Sequence, residues 1–191
     1  MPAAEGSATG GSPFRFVGSE VIHQGHVITL DEVRFAGPDG TEITRDVVRH
    51  PGAVSVVPLL DSGEVVLVAQ FRAPLARELL EIPAGKLDVA GEALEVAARR
   101  ELAEEVGLAA ESLEHLVTFH NSVGFSDEES HVYLATGLSE VPRDRQGPEE
   151  QVMRELRMSL PEALLAIDSG AITDGKTVIG LLATARAVGL R

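Results

Sequence analysis

The stretch Arg100-Glu101-Leu102-Ala103-Glu104-Glu105-Val106-Gly107-Leu108 decides the reading of this chain. Glu101 and Glu105 stand four residues apart, so on a helix they project from one face, with Glu104 beside them. Like charges at that spacing repel and cost a helix about 0.2–0.5 kcal/mol per pair. Arg100, four residues before Glu104, can offset part of this. Taken alone, such an acidic run is usually a solvated face. A cluster that works against its own helix makes sense when a hard cation lies over it, because carboxylate oxygens are what Mg²⁺, Mn²⁺ and Ca²⁺ take as ligands. The surrounding spacing predicts a helix over residues 92–106. Its apolar positions Leu94, Ala98, Leu102 and Val106 recur every four residues and face a core, and Gly107 supplies a glycine for the helix end.

Outward from this helix, strands alternate with turns. Residues 77–82 read as a short strand that ends at Pro83-Ala84-Gly85. Residues 54–60 and 64–71 read as a hairpin around Asp61-Ser62-Gly63. Residues 14–50 hold short alternating runs and a Pro38-Asp39-Gly40 turn, which predict a small antiparallel sheet. Downstream, strands are expected over 113–120, 131–136 and 151–158, with a polar loop over 137–150. Helices are expected over 161–169 and 176–188. The pattern is an α/β fold: a mixed α/β sandwich with the helix over 92–106 packed against a mixed sheet, plus a small N-terminal antiparallel sheet. The expected division is a flexible tail at 1–12, a β subdomain at 13–50 and a main domain at 51–191.

The chain has 191 residues, 44% of them apolar, enough for a substantial core. Its formal net charge of −14 argues against non-specific binding to nucleic acid or anionic membranes, which needs basic patches. There are no cysteines, so disulfides, thiolate zinc sites and cysteine nucleophiles are excluded. There is no tryptophan, so no indole of this chain can stack on a base. The first dozen residues are small and polar, and no apolar run approaches membrane-spanning length. The expectation is a cytoplasmic protein.

Glu92 followed by Arg100-Glu101-Leu102-x-Glu104-Glu105-x-Gly107-Leu108 resembles the box of the Nudix hydrolases, which cleave nucleoside diphosphates linked to another moiety. That box usually opens on a glycine six residues before its first glutamate. Here Lys86 holds that position and Gly85 comes one residue early, so the loop is one residue longer. Further marks resemble the ADP-ribose pyrophosphatase subgroup over roughly residues 20 to 190. They are Gly52-Ala53-Val54, Gln70-Phe71-Arg72, Glu81-Ile82-Pro83-Ala84-Gly85, Ser122-Val123-Gly124-Phe125-Ser126 and Asp174-Gly175-Lys176-Thr177. In the fourth, valine replaces the subgroup's usual proline, and in the last, Gly175 stands where alanine is common.

The resemblance implies α/β/α layering of the sandwich, and water attack on a pyrophosphate, giving AMP and ribose 5-phosphate from ADP-ribose. It implies Mg²⁺ as cofactor, with Mn²⁺ as a substitute. Glu101 and Glu105 are the expected metal ligands, joined by the Ala84 carbonyl and, at second rank, Glu104. Glu92 and Arg100 are expected to be structural, with Arg100 holding a carboxylate by paired hydrogen bonds. The subgroup takes its general base from a loop after the box, which points to Glu150, or else Glu149, in metal contact as well. Arg72, at a strand end, is the expected phosphate clamp; Arg45, Arg49 and Lys86 are weaker candidates, and Ser122 is placed against the terminal ribose. Phe14, Phe16 or Phe35 could stack on adenine. The small N-terminal sheet is marginal alone, and the subgroup pairs through it, so a homodimer is expected. The alternatives are a Nudix hydrolase of a nucleotide sugar, dinucleotide or oxidised nucleotide, or a silent sensor of ADP-ribose. A silent sensor has no need of the three box glutamates.

Overall fold

The computed structural model describes residues 11–144 and 151–190. The chain divides into two compact units. One holds the residues up to His50 together with Ser122–Glu128; the other holds Pro51–Asn121 and the residues from Glu129 onward.

The first unit is a sheet of three antiparallel strands in sequence order, β1 (Arg15–Gln24), β2 (Thr29–Ala36) and β3 (Glu42–Arg49). The first of the short alternating runs expected over residues 14–50 merge into one strand, β1. Register shifts after Phe16 and after Val21 reset the inward–outward alternation, so β1 reads as two pieces in sequence. Gly40 has φ 83° in the β2–β3 turn, where Asp39 accepts the Thr41 N–H at 3.0 Å. Residues 122–128 lie along β3: the Val48 N–H donates to the Phe125 carbonyl at 2.7 Å, and the Asp127 N–H to the Val48 carbonyl at 3.2 Å. Val33 is buried, whereas Phe14, Phe16, Val21 and Ile22 are exposed.

The second unit is built from β4 (Ala53–Pro58), β5 (Glu64–Arg72), β6 (Arg77–Glu81), β7 (Ala84–Lys86), α1 (Leu94–Val106), β8 (Leu108–His120), β9 (Glu129–Glu140), β10 (Arg154–Ser159), α2 (Leu160–Asp168) and α3 (Gly175–Ala187). A mixed sheet has the order β7-β4-β9-β8, with β4 parallel to β9 and the other pairs antiparallel. A second, antiparallel sheet has the order β10-β5-β6.

Strands β4 and β5 therefore part into different sheets instead of forming a ladder. Their turn is present, with the Leu60 N–H on the Glu64 carbonyl at 2.9 Å and a single Leu59–Val65 bridge. Both strands are near-continuous apolar runs, which suits strands covered on both faces. Val54, Val56, Val66 and Val68 join Ala98, Leu102 and Val106 of α1 in one core. Val57, Val65 and Leu67 join Leu181 and Ala185 of α3 in another.

Helix α1 starts at Leu94, so Glu92 lies in the loop before it. It ends where Gly107 takes φ 67° and returns its N–H to the Ala103 carbonyl. Ser159 and Glu162 form a capping box at the start of α2, and Asp174 caps α3 by accepting the Thr177 N–H. Strand β9 continues past residue 136 to Glu140, because Ala110 and Leu108 of β8 still pair with it. No helix among the described residues is long and apolar enough to cross a membrane.

Candidate active site

Helix α1 carries its acids toward β7. Glu101 and Glu105 are 8% and 2% exposed, on the same helix face. Carboxylates this buried need partners, because an isolated buried charge is costly. Glu105 Oε2 accepts the Ala84 N–H at 3.0 Å. The Glu101 carboxylate lies on Gly85: a Cβ at that residue would stand 1.8 Å from Glu101 Cδ. Gly85 thus leaves the space the carboxylate occupies, and it does so one residue before the usual box position.

Arg100 gathers the remaining acids. Its Nε and Nη2 donate to the two oxygens of Glu92 at 3.1 and 3.0 Å, a bidentate pair that ties the helix to the preceding loop. Its Nη1 donates to Glu101 at 2.7 Å and Glu104 at 3.1 Å. The hydrogen bonds with Glu92, foremost, hold the Arg100 guanidinium above arginine's ordinary pKa despite partial burial, and they hold Glu92 below the usual carboxylate range.

Arg72, at the end of β5, meets Glu81 of β6. Its Nε donates to Glu81 Oε1 at 2.6 Å and its Nη2 to Oε2. This pairing, ahead of burial, raises its pKa, and Asp174 and Glu105 add to the effect, so the guanidinium lies within electrostatic reach of Glu105. Both bonds to Glu81 use one edge of the guanidinium. Its Nη1 makes no hydrogen bond with a described residue, so the clamped side chain keeps a donor for an anion. Glu81 is 1% exposed and also receives Lys176 Nζ from α3. The sequence reading missed both Glu81 and Lys176 as a pair. The available signal was Glu81 itself, a charge set between Leu80 and Ile82 at the end of an apolar strand.

The structure thus brings together Ala84, Glu101, Glu104, Glu105 and Arg72. Lys86, next to Gly85, is exposed and lies 3.7 Å from Asp88. Arg45, Arg49 and Ser122 belong to the other unit. There Arg49 bridges Asp31 at 3.0 Å and Asp127 at 2.9 Å, Arg45 donates to the Thr44 carbonyl, and the Ser122 carbonyl accepts the N–H groups of Phe125 and Ser126. Phe16 and Phe35 are in edge-to-face contact at 6.1 Å. Glu149 and Glu150 lie outside the described residues.

The donor set fits a hard divalent cation: two buried carboxylates, a third beside them and a backbone turn in contact with both helix acids. Among the described residues no three His, Asp or Glu side chains converge to cage an ion by themselves. Mg²⁺ does not need such a cage, since it keeps several of its waters.

Residues 49–178 match the NUDIX domain family. The chain is 43% identical over 172 residues to an ADP-ribose pyrophosphatase of Mycobacterium tuberculosis, covering 89% of this chain and 82% of that protein. It is 39% identical over 165 residues to an ADP-ribose pyrophosphatase of Bacillus subtilis, covering 86% and 89%. It is 40% identical over 163 residues to a methanol dehydrogenase activator of Bacillus methanolicus, covering 85% and 88%. The fold matches a crystal structure of an ADP compounds hydrolase with a TM-score of 0.82 at 19% identity, over 96% of this chain and all of the other.

Proposed function

The chain belongs to the NUDIX family, and from that premise we propose that it hydrolyses the pyrophosphate bond of ADP-ribose, giving AMP and ribose 5-phosphate, with Mg²⁺ or Mn²⁺ as cofactor. The observation that carries this reading is the pair of buried carboxylates, Glu101 and Glu105, closed over Gly85 and the Ala84 N–H. The similarity of some 40% to named ADP-ribose pyrophosphatases over most of the chain narrows the substrate.

In this reading Glu101, Glu105 and the Ala84 carbonyl hold the cation, with Glu104 in support. Bound there, the cation supplies positive charge to the diphosphate and makes its own waters more acidic. Arg72, anchored on Glu81, offers Nη1 to a phosphate oxygen. Arg100 keeps Glu92 and the helix acids in place. Glu150, with Glu149 as second choice, takes the proton of the attacking water. Lys86, Arg45, Arg49 and Ser122 remain secondary candidates for substrate contacts.

The test is a panel of ADP-ribose, nucleotide sugars, dinucleotides and oxidised nucleotides with Mg²⁺, read by product identity, with Glu150→Gln and Glu149→Gln run beside the parent. ADP-ribose is expected to be cut fastest, and Glu150→Gln is expected to lower kcat by about 10²–10⁴, the range for loss of a general base. Preference for another substrate class rejects the substrate, and normal turnover in both variants rejects the base.

The reading also includes a homodimer formed through the N-terminal sheet. Phe16, Val21 and Ile22 of β1 are 56%, 60% and 54% exposed, apolar surface that a second copy would cover. Light scattering is expected to give twice the chain mass, and to fall toward one chain when Phe16 and Ile22 are changed to Lys. A fully active monomer in dilute solution would end this part.

A further inference from the structure

From Glu81 to Gly85 the chain is fastened at every residue. The Glu81 carboxylate takes Arg72 and Lys176. The Ile82 N–H donates to Thr177 Oγ1 at 2.9 Å. The Pro83 carbonyl accepts the Val56 N–H at 2.9 Å. The Ala84 N–H donates to Glu105 at 3.0 Å, and Gly85 lies under Glu101. The fastenings from α1 are the candidate ligands themselves. The fastenings from α3 are Lys176, which holds the Glu81 side chain, and Thr177, which holds the backbone.

Thr177 is fully buried, and its hydroxyl has only one possible polarity. It accepts from Ile82, so its own proton goes to Asp174 Oδ2, at 2.6 Å. Asp174 also accepts the Thr177 N–H at 3.0 Å and Lys176 Nζ at 3.0 Å. Burial, the largest influence, pushes the Asp174 carboxyl up, but Lys176 and the Thr177 hydrogen bonds together hold it below its usual range. It therefore stays an acceptor and keeps the Thr177 lone pair turned to Ile82.

Packing alone does not call for that hydroxyl. Gly180 brings α3 close to the sheet, since a Cβ there would stand 2.9 Å from Ile82 Cδ1. Thr184, on the same buried helix face, is also fully buried, yet its hydroxyl has no hydrogen-bond partner among the described residues. One helix thus presents two buried threonines, of which one is wired to the box turn.

We infer that Thr177, oriented by Asp174, is a positioning residue for the cation site: it sets the backbone of Ile82-Pro83-Ala84, and with it the Ala84 carbonyl and the Ala84 N–H that holds Glu105. The inference rests on the reading that Glu101, Glu105 and Ala84 hold the cation.

The test is titration of the full chain with Mn²⁺ alone, without substrate, following free Mn²⁺ by electron paramagnetic resonance. Thr177→Val is expected to weaken Mn²⁺ binding by about 10- to 100-fold, the usual loss when support for a ligand is removed. Thr177→Ser is expected to restore it, and Thr184→Val to bind as the parent does. Parent affinity in Thr177→Val overturns the inference, as does an equal loss in Thr184→Val. Glu105→Gln, run in parallel, separates the two readings. If it loses Mn²⁺ while Thr177→Val does not, only the inference fails; if it binds Mn²⁺ like the parent, the cation reading fails and takes the inference with it. Should Thr177→Val not fold, Asp174→Asn carries the same comparison: weaker Mn²⁺ binding supports the inference, and parent affinity overturns it.

Discussion

Glu105→Gln removes turnover and leaves the protein folded. The substitution keeps the side-chain shape and keeps an oxygen for the Ala84 N–H, which Glu105 accepts at 3.0 Å. It removes the negative charge that a divalent cation requires from a residue 2% exposed. Without metal, the variant is expected to melt at or above the parent temperature, because a buried carboxylate beside Glu101 gives way to a neutral amide. With metal the order reverses. A cation that binds only the folded state stabilises it by RT ln(1 + [L]/Kd), so the parent melting temperature should rise with Mg²⁺ or Mn²⁺ and that of the variant should not. Thermal melts with and without metal, beside an ADP-ribose assay, check both halves. Full turnover by Glu105→Gln at ordinary Mg²⁺ would reject Glu105 as a ligand.

The parts of this site that were legible in the sequence are those whose partners are near in the chain. The spacing of Glu101 and Glu105, the Arg100–Glu92 tie and the Gly107 helix end all lie within one helix and its flanking loop. Local periodicity is enough to read them. The partners of Glu81 are not near: Lys176 is 95 residues away and comes from a helix that packs on the opposite core from α1. The same distance effect hid the parting of β4 and β5. Their turn residues suggest a hairpin, but β4 is claimed by β9, whose first paired residue is Ser130 against Ala53. Nothing local in residues 54–71 encodes that preference, which arises from covering both faces of β4. Asp127 is a further case. It reads as an ordinary loop acid, yet it fastens residues 122–128 to Arg49 and the His50 N–H.

Gly85→Ala abolishes activity at little cost to the fold. The position of this glycine is the one departure of the chain from the usual box spacing, and the geometry gives it a reason. A Cβ at residue 85 would lie 1.8, 1.9 and 2.4 Å from the carboxylate atoms of Glu101. Such contacts cannot stand, so one side must move. The backbone of residue 85 cannot: it is paired with Val54 of β4, and its neighbour Ala84 is held by Glu105. The carboxylate is the far end of a flexible side chain and can rotate away. Overpacking elsewhere in a core costs about 1–3 kcal/mol, but here the strain is relieved by moving a ligand, so the melting temperature without metal should change little. What is lost is the placement of Glu101 beside Glu105, and with it the cation. The expected activity is that of Glu101→Gln, and the double variant should be no worse than either single one, since both remove the same carboxylate from the same place. The measurement is kcat/KM and Mn²⁺ affinity for the two single variants and the double. Parent-like Mn²⁺ affinity in Gly85→Ala would show that Glu101 holds no cation where it lies against residue 85. Additive losses in the double would show that the methyl group acts on something other than Glu101.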